Sequence, residues 1–444
     1  MMKVLPNILF LIFFLLAIRF FVRNVRKIAA NIHLGRPVNR FENTNKRWAN
    51  MARVALGQSK MVKRPIAGIL HVIVYIGFVL INIELIEIIV DGLLGTHRIF
   101  APYLGGLYNL LTGSFEILAL LVLFAVVVFW LRRNAIRIDR FRKAEMKGWP
   151  KWDADLILYF EILLMGLFLS MNATDSLLQQ QGAESYMQAG YFPVSQYLTP
   201  LFSDFSLPTL IVLERSFWWA HIIGIFIFLN YLYYSKHLHI LLAFPNTFFA
   251  NLRPKGAFAN NVTVTQEVQM MINPEAVPNV STSDPTEEEP DTFGAADVTD
   301  LSWIQLMNAY TCTECGRCTS VCPANQTGKK LSPRKIMMDT RDRLTEVGIH
   351  LENKEKKVVS DGKKLLDNYI TREELWACTS CNACTEACPV DIDPLSIIMD
   401  MRQYLVMEES AAPSDLNAMM SNIENNGAPW PFNNQDRLLW AQEN

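Results

Sequence analysis

The chain has 444 residues, room for two or three domains, and its 41 basic and 43 acidic side chains leave a formal charge of −2. So balanced a charge argues against a nucleic-acid partner. Apolar residues make up 51% of the chain and crowd into roughly its first 250 positions, while the last 180 or so read as ordinary soluble sequence. A uniformly soluble enzyme is excluded, and a membrane half followed by a soluble half is expected.

Five segments, near 4–23, 66–90, 112–131, 155–176 and 216–242, reach the length of about 20 apolar residues that spans a bilayer. The first has no small-x-small cleavage site and too long an apolar run for a signal peptide, so it is read as a helix. Between Arg19 and Arg64 lie twelve Lys or Arg and one acid, Glu42, and between Arg132 and Lys151 lie eight. Loop 91–111 has only Arg98, and 172–214 has neither Lys nor Arg. The positive-inside rule therefore places the amino terminus outside, and puts whatever follows the fifth helix in the cytoplasm. A multi-pass protein of a bacterial or archaeal cell membrane is expected.

Histidine suggests what the bundle holds. His71 lies about two turns inside the second helix. His221 and His239 fall in the fifth segment, eighteen residues apart. Eighteen residues are five turns of one helix, so the two would share a face about 27 Å apart along the axis. His239 matches the depth of His71, which predicts a b-type haem with His71 and His239 as axial ligands. His237 is a reserve ligand. His33, His97 and His350 are read as solvated loop or surface side chains. Glu84 and Glu87 in the second helix, Glu116 in the third and Glu161 in the fourth are costly in lipid and so are functional suspects. Oxidising a quinol releases two protons, which a carboxylate can accept; Glu84 and Glu161 are the leading candidates. Helix-end or interfacial pairing is the competing reading for Glu87 and Glu116.

The stretches RPIAGILHVIVYIGF at 64–78 and WWAHIIGIFIFLNYLYYSKHLHI at 218–240 resemble the gamma subunit of respiratory nitrate reductase. They also resemble the cytochrome b subunits of membrane heterodisulfide reductases and of sulfite-reductase-associated complexes. The resemblance implies a five-helix, quinol-oxidising dihaem cytochrome b, with two histidines ten apart on helix two and two eighteen apart on helix five. His71, His221 and His239 match three of those four positions. The fourth is Ile81, which cannot bind iron, so one haem is expected. His221 is left to a second haem with an unidentified partner, or to a quinone pocket.

After the bundle at 1–244, residues 245–298 read as an extended linker that includes the acidic PTEEEPD. All eight cysteines follow, in two runs. Cys312–Pro323 and Cys378–Pro389 are each C-x2-C-x2-C-x3-C-P, the spacing of bacterial two-cluster ferredoxins. Three cysteines at two-residue intervals wrap one corner of a cubane, and the fourth serves the other cluster. One [4Fe–4S] cluster is assigned to Cys312, Cys315, Cys318 and Cys388, and the other to Cys378, Cys381, Cys384 and Cys322. Zinc sites use wider spacings, and disulfides suit small secreted domains.

About 55 residues separate the runs, and the segments after them have helical periodicity with Ser-Pro and Asp-Pro starts. That layout resembles the α-helical ferredoxin domain of succinate dehydrogenase and of heterodisulfide reductase small subunits, here at 299–410. The tail 411–444 resembles a segment those reductases carry after their clusters, and is expected to help dock a partner. The same resemblance implies terminal chemistry on a separate cytoplasmic polypeptide, cysteine-rich (C-C-G type) or flavin-bearing. The basic stretch Lys329–Lys364 is a candidate dock for it, against the alternative of a solvated charged face.

The expected protein is all-α: a five-helix transmembrane cytochrome b-like bundle joined to a cytoplasmic α-helical ferredoxin domain. It would exchange electrons between menaquinone or another quinone and the cytoplasmic partner. The alternative is a haem-free membrane anchor whose clusters relay electrons between soluble proteins.

Overall fold

The computed structural model describes residues 4–254, 256–258, 260, 262–273, 292–352 and 361–442. The fold is all-α, a membrane bundle with a helical domain against it, and the described residues form isolated bridges but no strand. The spanning helices are α1 (Leu5–Ile32), α2 (Pro65–Leu94), α3 (Gly106–Asn134), α4 (Trp149–Gln180) and α5 (Leu207–Tyr231). All five are longer and more apolar than a bilayer requires. Proline in the first turn of α1, α2, α4 and α5 presets the helical φ where no N–H partner is lost.

Helix α2 packs on α3, α3 on α4 and α4 on α5, while α1 closes the bundle against α5 and α2. The core is built from Phe10, Ala119, Phe168 and Ile222. Outward-facing Ile69, Leu110 and Val212 are 60%, 69% and 64% exposed. That pattern belongs on a lipid-facing surface, because lipid imposes no cost on it.

The fifth segment departs from expectation. Helix α5 stops at Tyr231, and two short 3₁₀ turns, Leu232–Tyr234 and Lys236–Leu238, flank an extended Ser235 (φ −112°, ψ 148°). A separate helix, α6, runs from His239 to Phe248. His221 and His239 therefore do not share one continuous helix face, and the five-turn register between them does not hold. The expected linker 245–298 also contains structure. It includes the end of α6 and a helix at Val262–Ile272. Its last residues join the ferredoxin-like domain, where Ala295, Ala296 and Val298 are buried. The acidic PTEEEPD at 285–291 lies outside the described residues.

In the second half, the helix Trp303–Thr311 starts at Ser302, which makes a reciprocal capping box with Gln305. Pro333–Glu352 and Pro394–Met407 follow the two cysteine runs, each entered through its Ser-Pro or Asp-Pro step. This domain is seated on the end of the bundle that carries the basic connections. Arg36 donates its N–H to the Leu301 carbonyl at 2.8 Å and accepts from Trp303 N at 3.2 Å. The neighbouring Gly35 permits that approach, since a Cβ there would lie 2.5 Å from Trp303 N. Asn31 donates to Tyr310 Oη at 2.8 Å, and Asn50 to Asp391 Oδ2 at 2.9 Å.

Candidate metal centres

The two cysteine runs fold as backbone twins. Glu314 and Ser380, each two residues past the first cysteine, have φ of 53° and 56°. Gly316 and Asn382, two residues further on, have φ of 69° and 59° and open the short helices Arg317–Val321 and Ala383–Ala387. Paired left-handed residues turn successive N–H groups toward one concavity, as in anion-binding nests. The two short helices pack on each other, which brings each run's fourth cysteine toward the other run. Cys388 has Cys315 and Cys312 as electrostatic neighbours, whereas Cys378 has Cys322 and Cys381. Each fourth cysteine thus has sulfurs of the other run among its neighbours, and Cys318 has both Cys388 and Cys384. Cys312, Cys315, Cys318 and Cys388 line one cavity, which Cys384 also reaches.

Among the described residues, no three His, Cys, Asp or Glu side chains converge on a point that suits a single metal ion. A cubane spreads its cysteines over four irons, so this geometry fits a cluster better than zinc. Two backbone amides already face sulfur: Ser380 N is 3.4 Å from Cys378 Sγ, and Ile392 N is 3.3 Å from Cys388 Sγ. Such donors stabilise negative charge on a cluster. Burial pushes the thiols of Cys312 and Cys384 up to about 11 and about 12. Binding a metal must therefore displace protons that these sulfurs hold tightly.

Each loop is braced by an arginine from the helix that follows it. Arg334, fully buried, donates to Arg140 O and Glu145 Oε1, both at 2.7 Å, and to Glu314 O at 3.4 Å. Arg402 donates to Leu375 O at 2.6 Å and to Cys378 O at 2.5 Å, and stacks over Trp376. Of the basic stretch from Lys329, the arginines Arg334 and Arg343 are buried, while Lys329, Lys330, Lys363 and Lys364 are exposed. Arg341 pairs with Glu314, and Arg343 with Asp297 and Asp361. Residues 353–360 of that stretch lie outside the described residues.

Above the first loop sit three histidines. The rings of His71 and His239 are centred 6.4 Å apart at 43°. Two imidazoles on opposite sides of one iron, each nitrogen about 2 Å from it, have centres about 6 Å apart. His239 Nδ1 lies 3.0 Å from the Lys236 carbonyl. Donation there would leave Nε2 bare, as is usual for metal-bound histidine. Nδ1 of His71 and of His237 are buried with no hydrogen-bond partner. His237 stacks on His239 at 5.4 Å and 4°, and burial lowers its proton affinity to about 3. Burial also lowers that of His239. Neutral, partly unsatisfied imidazoles are the chemistry that an axial-ligand pair requires.

The end of the bundle away from the cysteine loops is different. His221 is buried, its Nδ1 is 3.0 Å from Leu164 O, and its ring packs on Phe168. His97, expected to be solvated, instead packs on Tyr186 with Nε2 3.0 Å from Asp175 Oδ1. Arg98 beside it is only 6% exposed and donates to Asp175, Asn172 and Tyr108 at 2.7–3.0 Å. Glu87 accepts from Tyr108 Oη and Phe100 N. Glu116 accepts from Asn172, Val194 N and the backbone and hydroxyl of Ser195. Glu84 is buried with Oε2 unpartnered, and Glu161 is half-buried on α4. Sequence reasoning missed this network because Arg98 looks like an ordinary loop cation. The available signal was its isolation as the one basic residue of loop 91–111.

With this geometry the cysteine half is defined as an iron–sulfur domain, and residues 311–392 match the family described as "4Fe-4S dicluster domain". The chain is homologous to curated iron–sulfur oxidoreductases. It is 30% identical over 468 aligned positions to the "Probable iron-sulfur-binding oxidoreductase FadF" of Bacillus subtilis, covering 98% of this chain and 61% of that one. It is 26% identical to the "EtfAB:quinone oxidoreductase" of Syntrophomonas wolfei, over 88% of this chain and 53% of that protein. A heterodisulfide reductase subunit-like protein of Archaeoglobus profundus is 27% identical over 26% of this chain and 49% of its own. The chain thus spans little more than half the length of the first two relatives. No solved structure matches.

Proposed function

We propose that the protein is a membrane-bound electron-transfer subunit that passes electrons between the quinone pool and a cytoplasmic redox partner. In this reading the bundle is a cytochrome b of the nitrate reductase gamma type, and the domains fall at 1–244, 245–298, 299–410 and 411–444. The observation that carries it is the His71–His239 pair, spaced as two axial ligands and seated against the first cysteine loop. When bound, one haem b and two [4Fe–4S] clusters would supply one-electron carriers in series.

The chain's own residues do the rest. His71 and His239 hold the haem. Cys312, Cys315, Cys318 and Cys388 hold the nearer cluster, and Cys378, Cys381, Cys384 and Cys322 hold the farther one. Glu84, with its free oxygen, and Glu161 are the proton acceptors for a quinol in the bundle. His221 is assigned to a second haem or to a quinone pocket. The basic connections face the cytoplasm, which also receives the ferredoxin-like domain. Exposed Cys381 marks the face where the partner exchanges electrons. The Syntrophomonas relative is named for EtfAB and a quinone, and both are carried over here as the two ends of the route, with the cytoplasmic partner either cysteine-rich (C-C-G type) or flavin-bearing.

Haem b per chain, measured as pyridine haemochrome, tests the reading. One haem in the wild type, absent from His71→Ala and His239→Ala and retained in His221→Ala, is the expected result. A wild type replete in iron and sulfide but free of haem would overturn it in favour of the anchor reading.

A further inference from the structure

We propose that Lys236 is a positioning residue that ties the His71–His239 site to the first cysteine loop through Glu314. The proposal rests on the electron-transfer reading above. It is drawn from one juxtaposition: the carbonyl of Lys236 meets the candidate axial ligand, and its ammonium meets the acid between two candidate cluster ligands.

Each polar group of Lys236 has a partner. Its N–H donates to Asp153 Oδ2 at 3.1 Å. Its carbonyl lies 3.0 Å from His239 Nδ1. Its Nζ donates to Pro150 O at 2.7 Å and to Glu314 Oε2, with Asp153 Oδ2 at 3.7 Å. The side chain is only 10% exposed. A buried ammonium is expensive to desolvate and is held only by well-made pairs. Asp153 is itself fixed by Tyr231 Oη at 2.6 Å. Glu314 is 3% exposed and takes a second cation, Arg341, at 2.8 Å.

The twin loop is the internal control. Ser380 has the backbone conformation of Glu314 but no charge, and its hydroxyl accepts from Arg402 within its own domain. Position for position, the first run carries an acid reaching into the bundle and the second does not. The break between α5 and α6 has a reason in these contacts. Extended Ser235 turns the chain so that Lys236 can face the loop while His239 opens α6 facing His71. Groups that hold a ligand from behind set its orientation and the local charge, and thereby spectra and potentials.

The test uses the full-length, cofactor-loaded protein. Low-spin haem EPR and redox-titrated cluster EPR are recorded for wild type, K236M, K236R and E314Q. K236M is expected to move the haem g values and to shift one cluster signal to lower potential, leaving the other in place. E314Q, which removes the opposite charge from the loop side, is expected to shift the same signal upward. It also serves if K236M does not accumulate. K236R should restore wild-type values. The moving signal should be the one altered in Cys315→Ser and retained in Cys381→Ser. Unchanged haem g values and cluster potentials in haem-replete K236M and E314Q would overturn the proposal alone. Equal shifts of both clusters would also overturn it. A haem-free wild type would overturn the electron-transfer reading, and this proposal with it.

Discussion

The two cysteine runs share a spacing and a backbone, yet their surroundings differ. The first is enclosed. Arg317 donates to the carbonyls of Lys60 and Met61, Arg64 to Ser320, and Lys236 to Glu314, so these four hydrogen bonds help hold it to the membrane half. The second is braced by Arg402 from its own domain, meets the membrane half through the exposed pair Lys63–Glu386, and leaves its Cys381 exposed. One motif duplicated in sequence has thus become an inward-facing and an outward-facing site. The motif determines what can be bound, and the neighbours determine with what it can exchange.

The sharpest way to break this comparison is to remove one ligand from each loop. Cys312→Ser should cost about half of the bound iron. It should also lower the melting temperature more than Cys381→Ser, because only Cys312 is buried; iron analysis with thermal unfolding reads both. Next are the braces. Arg334→Ala leaves Glu145, whose side chain is only 12% exposed, without its cation and should cost about 3–5 kcal/mol. Arg402→Ala removes donors to neutral carbonyls and should cost about 1–3 kcal/mol. Denaturant titration would rank them, and an inverted order would mean the second loop is the better supported. The smallest effects lie at the left-handed positions. Gly316→Ala, with φ 69° and a Cβ 2.5 Å from Arg334 Nη1, should cost about 1–3 kcal/mol. Asn382→Gly, at φ 59°, should stay within about 1 kcal/mol of wild type.

Much of this was legible in the sequence, for identifiable reasons. Lipid imposes a length and an apolar composition on a spanning helix, so five appear, four near their expected places and the fifth shifted toward the amino terminus, at Leu207–Tyr231. Thiolate ligands impose spacing, so the cysteine runs were readable, and their short separations carry the crossed arrangement. The proximity of His71 and His239 was expected from equal depth. The route to it was not, because periodicity continues through 232–238 while Lys236 and Ser235 bend the chain for contacts with residues far away in sequence. Arg98 was invisible for the same reason. Its burial depends on Asp175 and Asn172, which sit on another helix.

The hydrogen bond from Asn50 to Asp391 joins residues 341 positions apart. At about 5–20 residues per second, synthesis leaves the first connection without its final partners for on the order of half a minute. During that interval Asn50 can already donate to Thr247 O, and the carbonyls of Lys60 and Met61 meet Arg317 once it is made, but the nascent first loop lacks the second short helix that packs on it. Maleimide labelling of chains arrested before and after position 391 should show Cys312 protected only in the longer ones. Closure of the face between the two halves is then the last act of assembly, and metal destined for the buried loop must arrive before it.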